Sequence, residues 1–353
     1  MVSVLPCRTW DTFDVMASNS PAKLRPVGAP FESDTGPLPA SWVVTVERVD
    51  RPRRIRQSAL RSLSVSFATT GPVLAVAIDS SRLAAGIVDT SGDVLVRDRV
   101  STPTRDVWRS LEGLVGRVVA ARPPDARPLS AVGVSCIGPV DVPAGSVSPS
   151  LVGAWSAFPL RQRLEVLTGL PVVLDTAAGA ASDGERWLGD AVDVTSHLTV
   201  MFDQTVESAC VIGGRRMRGG HGNAGSIAHV TVDPGGNPCR CGGLGCLEAY
   251  ASSTSIEAEI NRPLRRATPS IVGRTGIMIG RAIASATAIF DVRTVFVSGL
   301  VIDTFGDPVL DAARHELRLR SNLEHLAGME IREVSGRVQP LVGAASLVLA
   351  TTR

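Results

Sequence analysis

Between Gly219 and Ala251 the chain reads GGHGNAGSIAHVTVDPGGNPCRCGGLGCLEAYA, and this stretch holds three of the six cysteines. Cys239, Cys241 and Cys246 lie on one glycine-rich loop that follows His229. Three thiolates and an imidazole make a closed tetrahedral donor set, the pattern of a structural zinc site. A disulfide and three unligated thiols are the alternatives. Cys239 and Cys241 are too close in sequence for a relaxed disulfide, and pairing either with Cys246 leaves an odd thiol on the loop. The reading is therefore a zinc-pinned loop with His229, Cys239, Cys241 and Cys246 as ligands. Pro238 and the glycines at 235, 236, 242, 243 and 245 let a short loop fold around an ion without side chains in the way.

A chain of 353 residues suits two domains and has ample surface to bury two cores. Its 44% hydrophobic and 20% charged residues are those of an ordinary globular protein. A net charge of +2 supplies no electrostatic reason for a nucleic-acid or membrane partner. Cys7, Cys136 and Cys210 are scattered singly, which fits a reducing compartment. Arg281 interrupts the best candidate for a membrane span, and the N-terminus lacks a charged-then-apolar signal, so a cytoplasmic location is expected.

Residues 1–70 carry seven prolines, from Pro6 to Pro52, and no sustained hydrophobic period, so the expectation is a disordered N-terminal extension. The basic cluster Arg48, Arg51, Arg53, Arg54 and Arg56 reads as a solvated charge run. From Pro72 the texture changes. VLAVAID, AAGIVD and VLVRDRV read as three consecutive strands, with Thr90–Asp93 as a hairpin turn. Residues 105–121 have helical apolar spacing, and AVGVSCIG is a buried strand. A second run of the same kind begins after VVLD at 172–175, with LTVMFD and the hairpin SACVIGGRRMRG turning on Gly213 and Gly214. Beyond the cysteine loop come a helix across 272–290, the strand TVFVSG, a helix at 308–318, the strand MEIREV and a final buried helix in LVGAASLVLA.

CRCGGLGCLE, with its histidine ten residues ahead of the first cysteine, resembles the cysteine signature of the ROK family of repressors, open reading frames and sugar kinases. AVGVSCIGPVD, FPLRQRLEVLTGLPV, DGERWLG and RTGIMIGRAIASATAIFDVRTVFVSG are similar to that family as well, and the likeness covers roughly residues 72–350, with glucokinase-like members the nearest in texture. The resemblance implies an α/β protein of the actin-like ATPase, ribonuclease-H-like, two-lobed sugar-kinase fold. Its lobes would run over 71–175, with the helix at 340–353 packing back onto them, and over 176–339, which carries the zinc loop. Substrates in such folds lie between the lobes, and a homodimer is expected.

The resemblance also places the machinery of a kinase, residue by residue. The first phosphate turn falls on Asp79, Ser80 and Ser81, where the family has paired glycines and a threonine. The second falls on Gln204, Thr205, Val206, Glu207, Ser208, Ala209 and Cys210, of which only Thr205 matches. The adenosine-side turn reads Ser298, Gly299 and Leu300. The family's asparagine and catalytic aspartate fall on Thr176 and Ala177, and a methyl group accepts no proton, so no catalytic residue is assigned. Asp175 reads first as the end of a strand; it is a relocated base only if the segment is extended there, which would face it to the same side as Ala177. His229 and Glu248 match positions that contact sugar hydroxyls, whereas Ser226 and Ala228 replace the glutamate and glycine expected before the histidine. Gly138–Asp141 is retained. The resulting expectation is a catalytically impaired ROK sugar-kinase homologue that keeps sugar binding for a sensing or regulatory role, with structural zinc. Asp79 and Glu207 are expected to face the triphosphate and oppose its binding unless a magnesium ion bridges them, so ATP with magnesium is not among the expected cofactors. The alternatives are an ATP-dependent, glucokinase-like hexose kinase and a ROK-type transcriptional regulator lacking a recognisable helix-turn-helix.

Overall fold

The computed structural model describes residues 71–320, 322 and 324–350. The expected N-terminal extension and its basic cluster lie outside the described residues.

The described chain opens with β1 (Val73–Ile78), β2 (Arg82–Val88) and β3 (Val94–Ser101), then α1 (Val107–Ala120), β4 (Val132–Cys136), the two-residue strands β5 (Val140–Asp141) and β6 (Ser146–Val147), α2 (Leu160–Thr168) and β7 (Val172–Thr176). These build a five-stranded sheet in the order β3-β2-β1-β4-β7. β1–β3 are antiparallel neighbours, while β1, β4 and β7 run parallel. Every residue of VLAVAI in β1 is buried, as a central strand covered on both faces requires. Exposure alternates along β3, which is the pattern of an edge. Val107, Leu111, Leu114, Val115 and Val118 form the buried stripe of α1, spaced as one face of a helix demands.

From β7 the chain passes directly into α3 (Ala177–Leu188) and then repeats the plan with β8 (His197–Phe202), β9 (Val206–Ile212) and β10 (Arg215–Arg216). After the cysteine loop follow α4 (Glu248–Ala251), α5 (Ser253–Ile260), α6 (Pro269–Phe290), β11 (Thr294–Ser298), α7 (Leu300–Phe305), α8 (Asp307–Leu319), β12 (Glu330–Glu333) and α9 (Pro340–Leu349). The second sheet is ordered β10-β9-β8-β11-β12, with β8, β11 and β12 parallel. The helix read over 272–290 begins three residues earlier: Thr268 caps it by accepting from the Ile271 N–H, and Pro269 occupies the first turn, where its missing N–H costs nothing.

α9 is buried from Leu341 to Leu349 and packs on β1, β4 and α3. Its apolar residues join Val73, Ala75 and Trp187 in one core cluster. The close approach runs through Gly133 of β4, where a Cβ would stand 2.0 Å from the Ala344 carbonyl oxygen. α3 touches the second sheet through β8 and β9 as well as α9, so its N-terminus is held between the two lobes.

Gly133→Ala should therefore push α9 off the sheet and cost about 1–3 kcal/mol, the usual price of overpacking. Gly116→Ala, in the middle of α1 with nothing within 4 Å of the added Cβ, should instead stabilise by about 0.5–1 kcal/mol. Urea denaturation of the two variants checks the pair.

Candidate functional site

The glycine-rich loop brings its four ligand-type side chains together. One donor atom each from His229, Cys239, Cys241 and Cys246 lies within 4.8 Å of all the others. The Cys239 sulfur is 3.5 Å from His229 Nδ1, and the Cys241 and Cys246 sulfurs are 3.7 Å apart. Sulfurs about 2.3 Å from a tetrahedral ion stand about 3.8 Å from one another, so the set has the dimensions of a zinc site. Burial, then the neighbouring sulfurs, push the Cys246 thiol up to about 12. A divalent cation is what reverses that preference and holds such thiols as thiolates. The loop can turn this tightly because Gly245 has φ +73° and a Cβ there would meet the Asp233 carbonyl at 1.8 Å.

The cluster is coupled to Glu248 by backbone pairing. Leu247 N–H donates to the Val230 carbonyl and Glu248 N–H to that of Ala228, which sets His229 beside Glu248. Glu248 is 3% exposed; its Oε2 accepts from Val206 N–H at 2.6 Å, while Oε1 has no hydrogen-bond donor and lies 3.6 Å from the Arg240 guanidinium.

Across the cleft the two lobes are joined by side chains of the second lobe gripping the backbone of the first. Asn223 Oδ1 accepts from Val140 N–H at 3.1 Å and its Nδ2 donates to the Val140 carbonyl at 2.7 Å. Glu207 Oε1 accepts from Gly138 N–H at 2.6 Å, and the Ala178 N–H is close enough to favour the ionised carboxylate. Glu207 therefore does not face the triphosphate region, contrary to expectation. It reaches from β9 to the N-terminus of α3, beside Ala177. Its Oε2 is buried without a donor. Burial, reinforced by the charges of Asp203 and Glu248, pushes this carboxyl up to about 7.

The phosphate turns are occupied by their own side chains. Asp79 Oδ1 accepts from Ser81 N–H at 2.5 Å, Ser81 Oγ at 2.8 Å and Arg82 N–H at 3.1 Å. The backbone donors that a phosphate would use are thus spent on a carboxylate inside the turn. Ser80 Oγ donates to Gln204 Oε1, a bond that links the first turn to the second, and Thr254 Oγ1 holds the Gln204 carbonyl at 2.5 Å. Asp203, whose Oδ1 accepts from Leu300 N–H at 2.8 Å, is pushed above the usual carboxylate range by burial and then by the charges of Asp79 and Asp303. Apart from Thr254, these residues line a cleft of about 920 Å³, which Ala177 also lines.

Asp175 is not positioned as a base. The chain is not extended past it: Thr176 caps α3 by accepting from Gly179 N–H, so the helix starts at Ala177 and turns Asp175 inward. The Asp175 side chain is 1% exposed and is paired with Arg216 at 2.5 Å and with Arg218. Arg216 also reaches Asp183 at 3.2 Å, whose carboxyl burial pushes up. Sequence reasoning missed this ion set, the Asn223 clamp and the direction of Glu207. Arg216 and Arg218 lie in a hairpin that otherwise reads as surface, and nothing local marks their partners.

The comparisons with known proteins agree with this geometry. Residues 73–351 match the ROK family, and the chain belongs to it. It is 28% identical over 319 residues to a Streptomyces coelicolor glucokinase, covering 78% of this chain and 97% of that protein. It is 34% identical over 152 residues to a putative xylose repressor of Caldicellulosiruptor, covering 42% and 38%. Among solved structures it is similar to a ROK hexokinase from Thermus thermophilus, with a TM-score of 0.67 and 28% identity over 78% of this chain and 97% of that one. The fold is that of the actin-like sugar kinases.

A folded-state value near 7 against an ordinary 4.5 means that ionised Glu207 opposes folding. The penalty is absent below pH 4.5 and is complete once the pH has passed 7, where it reaches at most about 3 kcal/mol. Glu207→Gln should therefore be more stable than the parent at pH 8 by up to that amount, with the gap shrinking below about 1 kcal/mol at pH 5. Urea unfolding at the two pH values reads the difference, and a gap independent of pH would contradict it.

Proposed function

We propose that this chain is a carbohydrate-binding member of the ROK family whose phosphoryl-transfer chemistry is impaired, serving as a sensor or regulatory partner. The observation that carries the reading is the state of the first phosphate turn: Asp79 takes the N–H groups of Ser81 and Arg82 and adds a negative charge where a triphosphate would have to approach. Phosphoryl transfer depends on positioning the nucleotide and offsetting its charge. The lack of any carboxylate at Ala177 is a second loss, since a missing general base costs about 10² to 10⁴ in rate.

Sugar binding draws its support from the other half of the cleft. His229 and Glu248 are held side by side, and the relatives include a glucokinase, a hexokinase and a putative xylose repressor. Zinc held by His229, Cys239, Cys241 and Cys246 would pin the loop that carries both residues, with His229 bound through one ring nitrogen and its other nitrogen left for a sugar hydroxyl.

A second reading, an ATP-dependent hexose kinase, is favoured by the size of the cleft, about 920 Å³, and by the glycine that survives in the adenosine-side turn, Gly299. Nucleotide titration separates the two. The impaired reading expects no micromolar affinity for ATP with magnesium, no sugar-dependent ATP turnover with glucose or xylose, and no rescue by Ala177→Asp. Micromolar ATP affinity with sugar-dependent turnover in the parent protein would establish the kinase instead.

Metal analysis should find about one zinc per chain. Cys241→Ser should lose the metal and lower the melting temperature, because opening the shell frees the loop. Substoichiometric zinc in protein purified without chelators would count against the assignment.

A further inference from the structure

Among the described residues, the buried side-chain polar atoms without a hydrogen-bond partner include two carboxylate oxygens, Glu207 Oε2 and Glu248 Oε1. Each belongs to a carboxylate whose other oxygen is committed to a backbone N–H: Gly138 for Glu207 and Val206 for Glu248. Val206 and Glu207 are consecutive, so the two carboxylates are anchored at the same end of β9, and the Glu248 charge helps to raise the Glu207 carboxyl. A buried acceptor with no donor costs about 1–3 kcal/mol, and more when it is charged, and two of them tied to consecutive residues of β9 call for a ligand that brings hydrogens. The only group of three or more metal-ligand side chains among the described residues is the His/Cys set, so a coordinated cation lacks a third ligand here. An anionic ligand would meet two carboxylates here against one guanidinium, that of Arg240, which lies 3.6 Å from Glu248 Oε1 without donating a hydrogen bond to it. A neutral polyol, which offers several adjacent hydroxyl donors, matches both orphan oxygens.

Position supplies the second argument. Glu207 leaves the second lobe, crosses the cleft and lies against Gly138 and the Ala178 N–H, one residue from the methyl group of Ala177. We infer that Glu207 is a sugar-binding carboxylate, contributed by the second lobe in place of the one missing at Ala177, and that with Glu248 it accepts hydrogen bonds from neighbouring hydroxyls of a neutral sugar. The inference rests on the sugar-binding reading above and adds to it a residue and a ligand class. Because the replacement is anchored on β9, it would hold a hydroxyl only while the lobes are closed, so binding and closure are the same event.

The test is calorimetric titration of D-glucose and D-xylose into the full chain at pH 8, on the parent protein, Glu207→Gln, Glu248→Gln and the double variant Ala177→Asp/Glu207→Gln. Glu207→Gln should weaken sugar affinity at least about tenfold, as expected for losing a hydrogen bond to a charged group, with zinc content unchanged and melting temperature not lowered. The double variant, with a carboxylate returned to the start of α3, should recover part of that loss. Unaltered affinity in Glu207→Gln, with Glu248→Gln impaired, would overturn the role of Glu207 while leaving the sugar site standing. Loss of affinity without recovery in the double variant would overturn the equivalence with position 177. Failure of the parent protein to bind either sugar would overturn the sugar-binding reading and this inference together.

Discussion

The geometry of the cleft depends on one buried ion set, Asp175–Arg216–Asp183. Asp175 is the penultimate residue of β7, Asp183 lies on α3, and Arg216 comes from the short strand β10 of the second sheet. A set of this kind contributes little net stability, because desolvating the charges offsets most of their attraction. Removing one partner is another matter, since it leaves a charge buried alone at a cost of about 3–5 kcal/mol. Its effect here is on geometry. It ties the strand-to-helix corner of the first lobe to the hairpin of the second, and Arg216 packs so closely over the first turn of α3 that a Cβ at Gly179 would lie 1.8 Å from the guanidinium.

With that corner fixed, the remaining cross-lobe bonds fall into two groups with opposite consequences. On the nucleotide side, Ser80–Gln204 and the self-bonded Asp79 satisfy polar groups that would otherwise meet phosphates. On the sugar side, Asn223 satisfies the Val140 backbone completely, whereas Glu207 and Glu248 each leave an oxygen without a hydrogen-bond donor. Buried polar atoms are nearly always paired. The contrast therefore separates a half of the cleft that is closed on itself from a half that still has bonding capacity to offer. The His/Cys loop belongs to the second half, since the backbone pairing of residues 228–230 with 247–248 transmits the order of the loop to His229 and Glu248.

How far this was legible in the sequence varies with the range of the interaction. His229, Cys239, Cys241 and Cys246 were identifiable because metal-ligand spacing on a glycine-rich loop is a local property, and the four donors do converge. The α/β class was legible for the same reason: VLAVAI, LTVMFD and TVFVSG are continuous apolar runs, and such runs form the buried central strands of both sheets. The loss at Ala177 was equally plain, because a methyl group accepts no proton in any fold.

Two readings needed the tertiary structure. Asp175 would stand with Ala177 on one side of an extended segment, but Thr176 caps a helix there, and the change of backbone turns the carboxylate inward toward two arginines some forty residues away in sequence. Glu207 sits in a phosphate turn by alignment, yet its side chain leaves that turn for Gly138 and α3 in the other lobe. Sequence by itself determined the residue types, the strand and helix periods and the metal-type loop, all of which follow from spacings of a few residues. Only the packing of one lobe against the other decided where the carboxylates point, because a side chain between two lobes takes the direction in which its burial is met by a donor, and those donors lie far off along the chain.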